Sequence, residues 1–426
     1  MSKKILIVTG SDYTKPVYKA FEDVKAMGHN LYLLSDGSFE PKEGVFEKHF
    51  TYDLRKTAQV LDYMKSQNIN FDAVTIKTSE WLTPLVALLA KEYKCIGNEP
   101  QVAFNCRSKY HMRQKMAAGG VPIPKFKLCR NYEEVLKAAE EIGMPCVAKP
   151  VGGNASYGTF IIRDKKDIDE NYQTSIEYLK KKAVSDDIFA FSKEEMDLMG
   201  LEEKVDMVTD YLVEQYMIGP QISVDALVQN GRAHIIAIEE QIRMEAPYFL
   251  QLKARMPYIS PEKQAQEIQE IIQKTVQALD IKNSATHTEI KFTEQGPKIV
   301  EIACRIGGDD IHDAAYESTG VNLMFESIMI ALGAKREYKV ETKFHTTGEY
   351  IFPKQKGDIK KLHVSEDLKS NPNVCYLDLN CEEGLKVDLP PHSFDFLGYI
   401  SAKGETPQKA EANLQEALQM IKIEIS

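Results

Sequence analysis

The segment His287-Thr-Glu-Ile-Lys-Phe-Thr-Glu-Gln-Gly-Pro-Lys-Ile-Val-Glu-Ile-Ala-Cys-Arg-Ile-Gly-Gly308 concentrates groups able to do chemistry. It reads as two strands around a Glu294-Gln295-Gly296 turn. Strand alternation puts His287, Glu289 and Lys291 on one face, with Ile290 and Phe292 on the other. On the return strand Glu301, Ala303 and Arg305 share a face. A three-residue turn with Gly296 left-handed sets Glu289 opposite Glu301. Facing carboxylates repel across a ladder. A cation between them turns that cost into binding, and oxygen donors favour magnesium or calcium. The plainer alternative is a solvent-facing hairpin with a chance acidic pair.

Other chemistry-bearing residues lie upstream. Lys149-Pro-Val-Gly-Gly-Asn-Ala-Ser-Tyr-Gly158 joins two strands. Gly152, Gly153 and Gly158 permit close backbone approach to a ligand, and amides with Ser156 can cradle phosphate oxygens. It is not a Walker loop, since no G-K-[ST] and no helix follow. Lys149, at the strand end, adds a point charge suited to phosphate, and Lys109 is a second candidate. Glu214-Gln-Tyr-Met217 ends a strand before Gly219-Pro220, where backbone edges can bond a purine. His287 is suited to orient substrate or move a proton, or to a satisfied structural role. Glu80 could read an amino group or cap a helix. Tyr248-Phe249 could form a pocket or simply pack. Asp309, Asp310 and His312 stand close enough to Gly307-Gly308 to meet substrate, with helix capping as the default for the aspartates.

These residues need a scaffold. A strand over 4–9 ends at Gly10, followed by a helix over 15–27, a strand over 31–34, a strand over 71–76 and a helix over 82–93. Such alternation implies a parallel sheet covered on both faces, with ligands at the carboxyl ends of its strands. Gly10-Ser-Asp and Thr78-Ser-Glu-Trp81 fall there, without a G-x-G-x-x-G fingerprint. Helices are expected over 108–118 and 132–142. The charged 164–210 segment reads as helical and exposed. A hairpin is expected over 221–239, helices over 261–279 and 323–332, and a mixed β/α tail over 345–426.

With 426 residues, 43% apolar and 27% charged, the chain has ordinary globular composition for several domains. A net charge of −10 argues against a nucleic-acid surface. No apolar run approaches the ~20 residues of a membrane span. The seven cysteines are scattered without a C-x-x-C pair, which points to a reduced, cytoplasmic protein.

In order come Arg107-Ser-Lys109, Lys149-Pro with its loop, Glu214-Gln-Tyr-Met-Ile-Gly219, His287-Thr-Glu289 and Glu301-Ile-Ala-Cys-Arg305-Ile-Gly-Gly308. This ordered set resembles the ATP-grasp superfamily of carboxylate–amine ligases, most closely the L-amino acid ligases that form dipeptides. The resemblance implies an α/β and α+β multidomain ATP-grasp fold with an N-terminal Rossmann-like parallel-sheet domain. The expected division is 1–105 (Rossmann-like), 106–337 (ATP-grasp, with a mobile lid lobe over about 143–217) and 338–426 (C-terminal β/α). It also implies ATP and magnesium or manganese as cofactors, two amino acids as small-molecule substrates, and room for a homodimer. Lys109, Lys149, Gly153, Ser156 and Gly158 would hold phosphates. Glu214 and the backbone of Gln215, Tyr216 and Met217 would hold adenine, with Gln221 near the ribose. Glu289 and Glu301 would bind metal. Arg305, with Lys149 and Glu301, would be catalytic, and Glu80, His287, Arg305, Gly307 and Gly308 would meet substrate. Ala303 stands where many family members have Asn, so one metal contact must come from elsewhere. Competing readings are a bicarbonate-using carboxylase, a nucleotide-precursor ligase and a non-catalytic nucleotide-binding regulator.

Overall fold

The computed structural model describes residues 2–11, 13–153, 157–185, 191–244, 249–389, 393 and 395–426. The first strand, Lys4–Val8, is buried from Ile5 onward. It lies inside a four-stranded parallel sheet ordered Lys48–Thr51, Asn30–Ser35, Lys4–Val8, Ala73–Ile76. Burial on both faces explains why the inner strand Lys4–Val8 and its neighbour Ala73–Ile76 are continuous apolar runs rather than alternating ones. Gly28, at φ 85°, takes a left-handed conformation after the helix Lys15–Ala26 and turns the chain into the second strand. The helix expected over 82–93 is a 3₁₀ turn, Glu80–Leu82, followed by Thr83–Glu92. Pro84 lacks an amide hydrogen and fits only the first turn of the longer helix, which separates the two.

A second unit is an antiparallel sheet ordered Phe126–Cys129, Tyr211–Gln215, Cys146–Pro150, Phe160–Ile162. The helix Tyr132–Ile142 matches its expected span; Asn131 caps it by accepting from the Glu134 amide. The 164–210 segment contains the helices Lys165–Ser185 and Lys193–Leu198, but it is not wholly exposed. Met196, Met199, Leu201, Val205 and Met207 bury themselves with Phe104, Val151 and Phe191. The charge density over 164–210 hides an apolar stripe that anchors this region to the helix Pro100–Arg107.

The largest sheet has eight strands, ordered Gly296–Ala303, Ser284–Thr293, Gln221–Gln229, Arg232–Arg243, Gln251–Met256, His345–Ile351, Gly398–Gly404, Val374–Leu379. Helix Glu262–Ala278 packs on it through Ile268, Ile271, Ile272, Thr275 and Val276, an i, i+3, i+4, i+7, i+8 stripe. Each such aliphatic burial contributes about 1.5–3 kcal/mol. The boundary expected near 338 is bridged by backbone pairing, since Lys253–Met256 pairs with Thr346–Glu349. The tail therefore supplies strands to the sheet that carries the acidic hairpin. A three-stranded sheet of Lys386–Val387, Gly357–Val364 and Ile421–Ile425 completes the described architecture.

Candidate active site

Strands Ser284–Thr293 and Gly296–Ala303 are joined by Glu294 and Gln295 alone, with Thr293 paired to Gly296. That two-residue turn would by itself set Glu289 against Val300. A bulge between Glu289 and Ile290 skips Val300 and restores Glu289 opposite Glu301. The expected facing of the carboxylates is found, but the extra residue lies in the strand rather than the turn. His287 stands opposite Ala303, one face-repeat along.

Both carboxylates open into a cavity of about 580 Å³ lined from all three regions of the chain. Gln221 Nε2 donates to Glu289 Oε2 at 2.9 Å and to Gln241 Oε1 at 2.7 Å, and Arg243 lies 3.8 Å from Glu289. Lys109 lies 3.4 Å from Glu301 and also donates to the Gly153 carbonyl. Burial opposes ionisation of Glu301, but Lys109, Lys149, Arg305 and His287 outweigh it and hold its pKa down to about 2. A carboxylate kept ionised beside a second one is a donor set for a hard cation. Among the described residues no group of three or more His, Cys, Asp or Glu could hold a metal. Two carboxylates therefore fit magnesium or manganese that completes its shell with phosphate oxygens and water.

Lys149 is buried, and its ammonium lies 2.5 Å from Glu214 Oε2. Glu214 also accepts from Arg113 Nε at 2.6 Å, while Arg113 donates to the Val300 carbonyl at 2.7 Å. Burial raises the cost of charge on both Lys149 and Glu214, and the flanking cations hold Glu214 below the usual carboxylate range. The Glu214 carboxylate, expected at adenine, is thus engaged by Arg113 and Lys149. Gln215, Tyr216 and Met217 line the cavity beyond it. Lys291 donates to the Met217 carbonyl at 3.2 Å and stands 5.8 Å over the Tyr216 ring. Of the glycine loop, Gly153 lines the cavity, whereas Gly152 is needed for packing: a Cβ there would meet the Met207 carbonyl at 2.6 Å. Gly158, at φ 70°, packs on Leu179, and its carbonyl accepts from Tyr211 Oη at 3.3 Å. Ser156 and Tyr248 lie outside the described residues.

At the other end, Arg305 donates to Glu80 Oε2 at 2.6 Å and to the Ile306 carbonyl at 3.0 Å. Arg107 lies 3.8 Å from the other Glu80 oxygen. Glu80 therefore holds two arginines at the carboxyl edge of the N-terminal sheet, beside Trp81. Gly308 lines the cavity, and Gly307 donates its amide to Asp225 Oδ1 at 3.2 Å. Asp225 Oδ2 lies 3.2 Å from His287 Nδ1. Burial would lower the His287 pKa, yet Asp225 reverses that and raises it. Asp310 occupies the position before helix Ile311–Thr319 without a side-chain capping bond. It faces the cavity with Asp309, so capping is not its role, and His312 is buried against Asn322 Oδ1 at 3.0 Å. Asp225, Glu239, Gln241, Arg243 and Arg113 have no sequence motif; only strand pairing and helix packing bring them to the site.

Residues 142–313 match the ATP-grasp domain, and residues 349–426 match the L-amino acid ligase C-terminal domain 2. The middle of the chain is thus an ATP-grasp domain, and its C-terminal region is similar to that of the L-amino acid ligases. The chain is 28% identical over 283 residues to an alanine–anticapsin ligase of Bacillus subtilis (strain 168), covering 65% of this chain and 57% of that protein. It is 24% identical over 321 residues to an L-arginine-specific L-amino acid ligase of Bacillus subtilis, covering 75% and 71%. The crystal structure of an L-amino acid ligase from Bacillus licheniformis superposes with a TM-score of 0.78 at 21% identity, covering 100% of this chain and 99% of that one. This chain thus spans little more than half of the alanine–anticapsin ligase.

Proposed function

We propose that this protein joins the carboxylate of one amino acid to the amine of another, using ATP and releasing ADP and phosphate. The observation that carries this reading is the single cavity in which Glu289 and Glu301 face each other beneath Lys109, Lys149 and Arg305. A carboxylate is a poor acyl donor because oxide is a poor leaving group. Transfer of the γ-phosphoryl group to its oxygen gives an acyl phosphate, which an amine attacks with phosphate leaving. Such catalysis is mostly positioning and charge compensation. Magnesium or manganese on Glu289 and Glu301 would supply neutralisation of phosphate oxygens when bound.

In this reading Lys149 and Lys109 hold the phosphates, together with Gly153. Tyr216, Lys291 and the 215–217 backbone take the base, and Gln221 sits on the ribose side. Arg305, fixed by Glu80, faces the transferred group. His287, fixed by Asp225, and the Gly307-Gly308 turn orient the acyl donor. Residues 143–217 act as the lid that excludes water from the acyl phosphate.

The test is a two-amino-acid mixture with ATP, followed by mass spectrometry and nucleotide analysis. A product lighter by one water than the sum of the two, formed with ADP, is expected. Turnover that requires bicarbonate, or that yields AMP and pyrophosphate, contradicts the reading.

A further inference from the structure

The carboxylates of the cavity divide into two sets. Glu80, Glu214, Glu289 and Glu301 each have a cation within 4.0 Å. Glu239, Asp309 and Asp310 have none among the described residues, although all three line the same cavity. Glu239 is only 2% exposed; its Oε1 meets Ser223 Oγ at 3.4 Å, and its Oε2 has no hydrogen bond among the described residues. Asp310 is equally buried, with the Tyr399 and Ser401 hydroxyls beside it, and the Tyr350 hydroxyl donates to Asp309. The adjoining wall is aromatic: the Tyr350 ring lies 4.5 Å from Tyr399 and 5.1 Å from Phe396.

We propose that the corner bounded by Glu239, Asp309, Asp310, Tyr350 and Tyr399 is a subsite for the side-chain cation of a basic amino acid, so that one of the two joined substrates is lysine-, ornithine- or arginine-like. The inference rests on the ligase reading and narrows it. Glu239 and Asp310, buried, repelling each other and with no cation within 4.0 Å among the described residues, must either take up protons or be neutralised by a ligand. Burial, with Asp310, Asp225 and Asp309 nearby, drives the Glu239 pKa well above its ordinary value, and burial holds Asp310 at about 7. A metal is a poor occupant, because no three of these groups converge on one point. A zwitterionic neutral amino acid brings as much negative charge as positive and leaves the imbalance standing. A basic one brings a net positive charge, and ammonium or guanidinium groups also gain from the ring faces of tyrosine and phenylalanine.

The experiment compares lysine and arginine with norleucine, a neutral analogue of lysine length, each paired with a panel of second amino acids. It is read as kcat/KM for ADP release and, separately, as calorimetric binding in the presence of a non-hydrolysable ATP analogue. The cationic amino acids are expected to be favoured by at least about tenfold in both. Glu239→Gln and Asp310→Asn, which keep shape and remove charge, should each cut that preference several-fold. Equal values for lysine and norleucine, or a preference untouched in both folded variants, overturn the subsite. ADP release with no amino acid pair overturns the ligase reading instead, and the calorimetric preference then still decides the subsite.

Discussion

Glu301 shows how much one side chain depends on its surroundings. It lines the cavity half-buried and stays ionised because Lys109, Lys149, Arg305 and His287 surround it. Glu301→Gln removes the charge proposed to hold the metal while preserving shape and the hairpin. Turnover is expected to fall by about 10²-fold or more, with circular dichroism unchanged; near-normal activity at limiting magnesium would contradict the assignment. Asp310 offers a pH test. Its carboxyl is raised from 3.8 to about 7 by burial, so the folded state holds the proton more tightly than the unfolded state. Stability from this group is complete below about 4 and declines as pH rises through 7. Asp310→Asn removes that decline, so its melting temperature relative to the parent should climb across this window and then level off. A difference that stays constant with pH would show that Asp310 ionises normally. The pairing of Glu289 with Glu301 is expected from alternation and a three-residue turn, and it is found although the extra residue lies in a bulge instead. Glu239 and Asp225 were not legible, because nothing in their own strands distinguishes a cavity-facing acid from a surface one.

At the scale of elements, Arg113 ties three pieces together. It sits on helix Lys109–Ala118, binds Glu214 on strand Tyr211–Gln215, and donates to the carbonyl of the bulged Val300. Arg113→Met leaves Glu214 with Lys149 as its remaining cation and orphans that carbonyl, which should cost about 3–5 kcal/mol in chemical denaturation. A loss below ~1 kcal/mol would mean that water replaces it. Gly219 makes a second test. At φ 144°, a Cβ there would fall 1.9 Å from the Phe292 carbonyl oxygen. Gly219→Ala must therefore push the 214–219 segment away from the hairpin. Weaker nucleotide binding by calorimetry, with amino acid binding less affected, is the expected result; unchanged affinity would mean that this segment does not hold the base.

The whole molecule sets which end of each substrate can react. All three regions of the chain line one cavity: Gly10 and Trp81 from the N-terminal sheet, Lys149 and Glu301 from the middle, and Tyr350 and Tyr399 from the tail. A carboxy-amidated amino acid is expected to serve only as the amine, and an N-acetylated one only as the carboxylate. Phosphate release should require the free carboxylate and rise when the amine is added. Equal phosphate release from both blocked substrates, each supplied alone, would contradict an acyl-phosphate route.

What the chain's own sequence determined is everything carried by local periodicity and by ordered motifs. Apolar runs named the parallel sheet, alternation put Glu289 and Glu301 on faces that could meet, and the i, i+3, i+4 stripe of residues 262–278 named its helix. Tertiary structure alone decided the rest. It moved the extra residue from the turn to a bulge, since sheet twist and the Arg113–Val300 bond act on the strand. It gave Glu214 to Arg113 and Lys149 rather than leaving its carboxylate open. It buried the apolar stripe inside the charged 164–210 segment and laid the tail's strands beside Gln251–Met256. In each case the partner lies far away in sequence, and burial and charge pairing depend on distances through space, which no local pattern encodes.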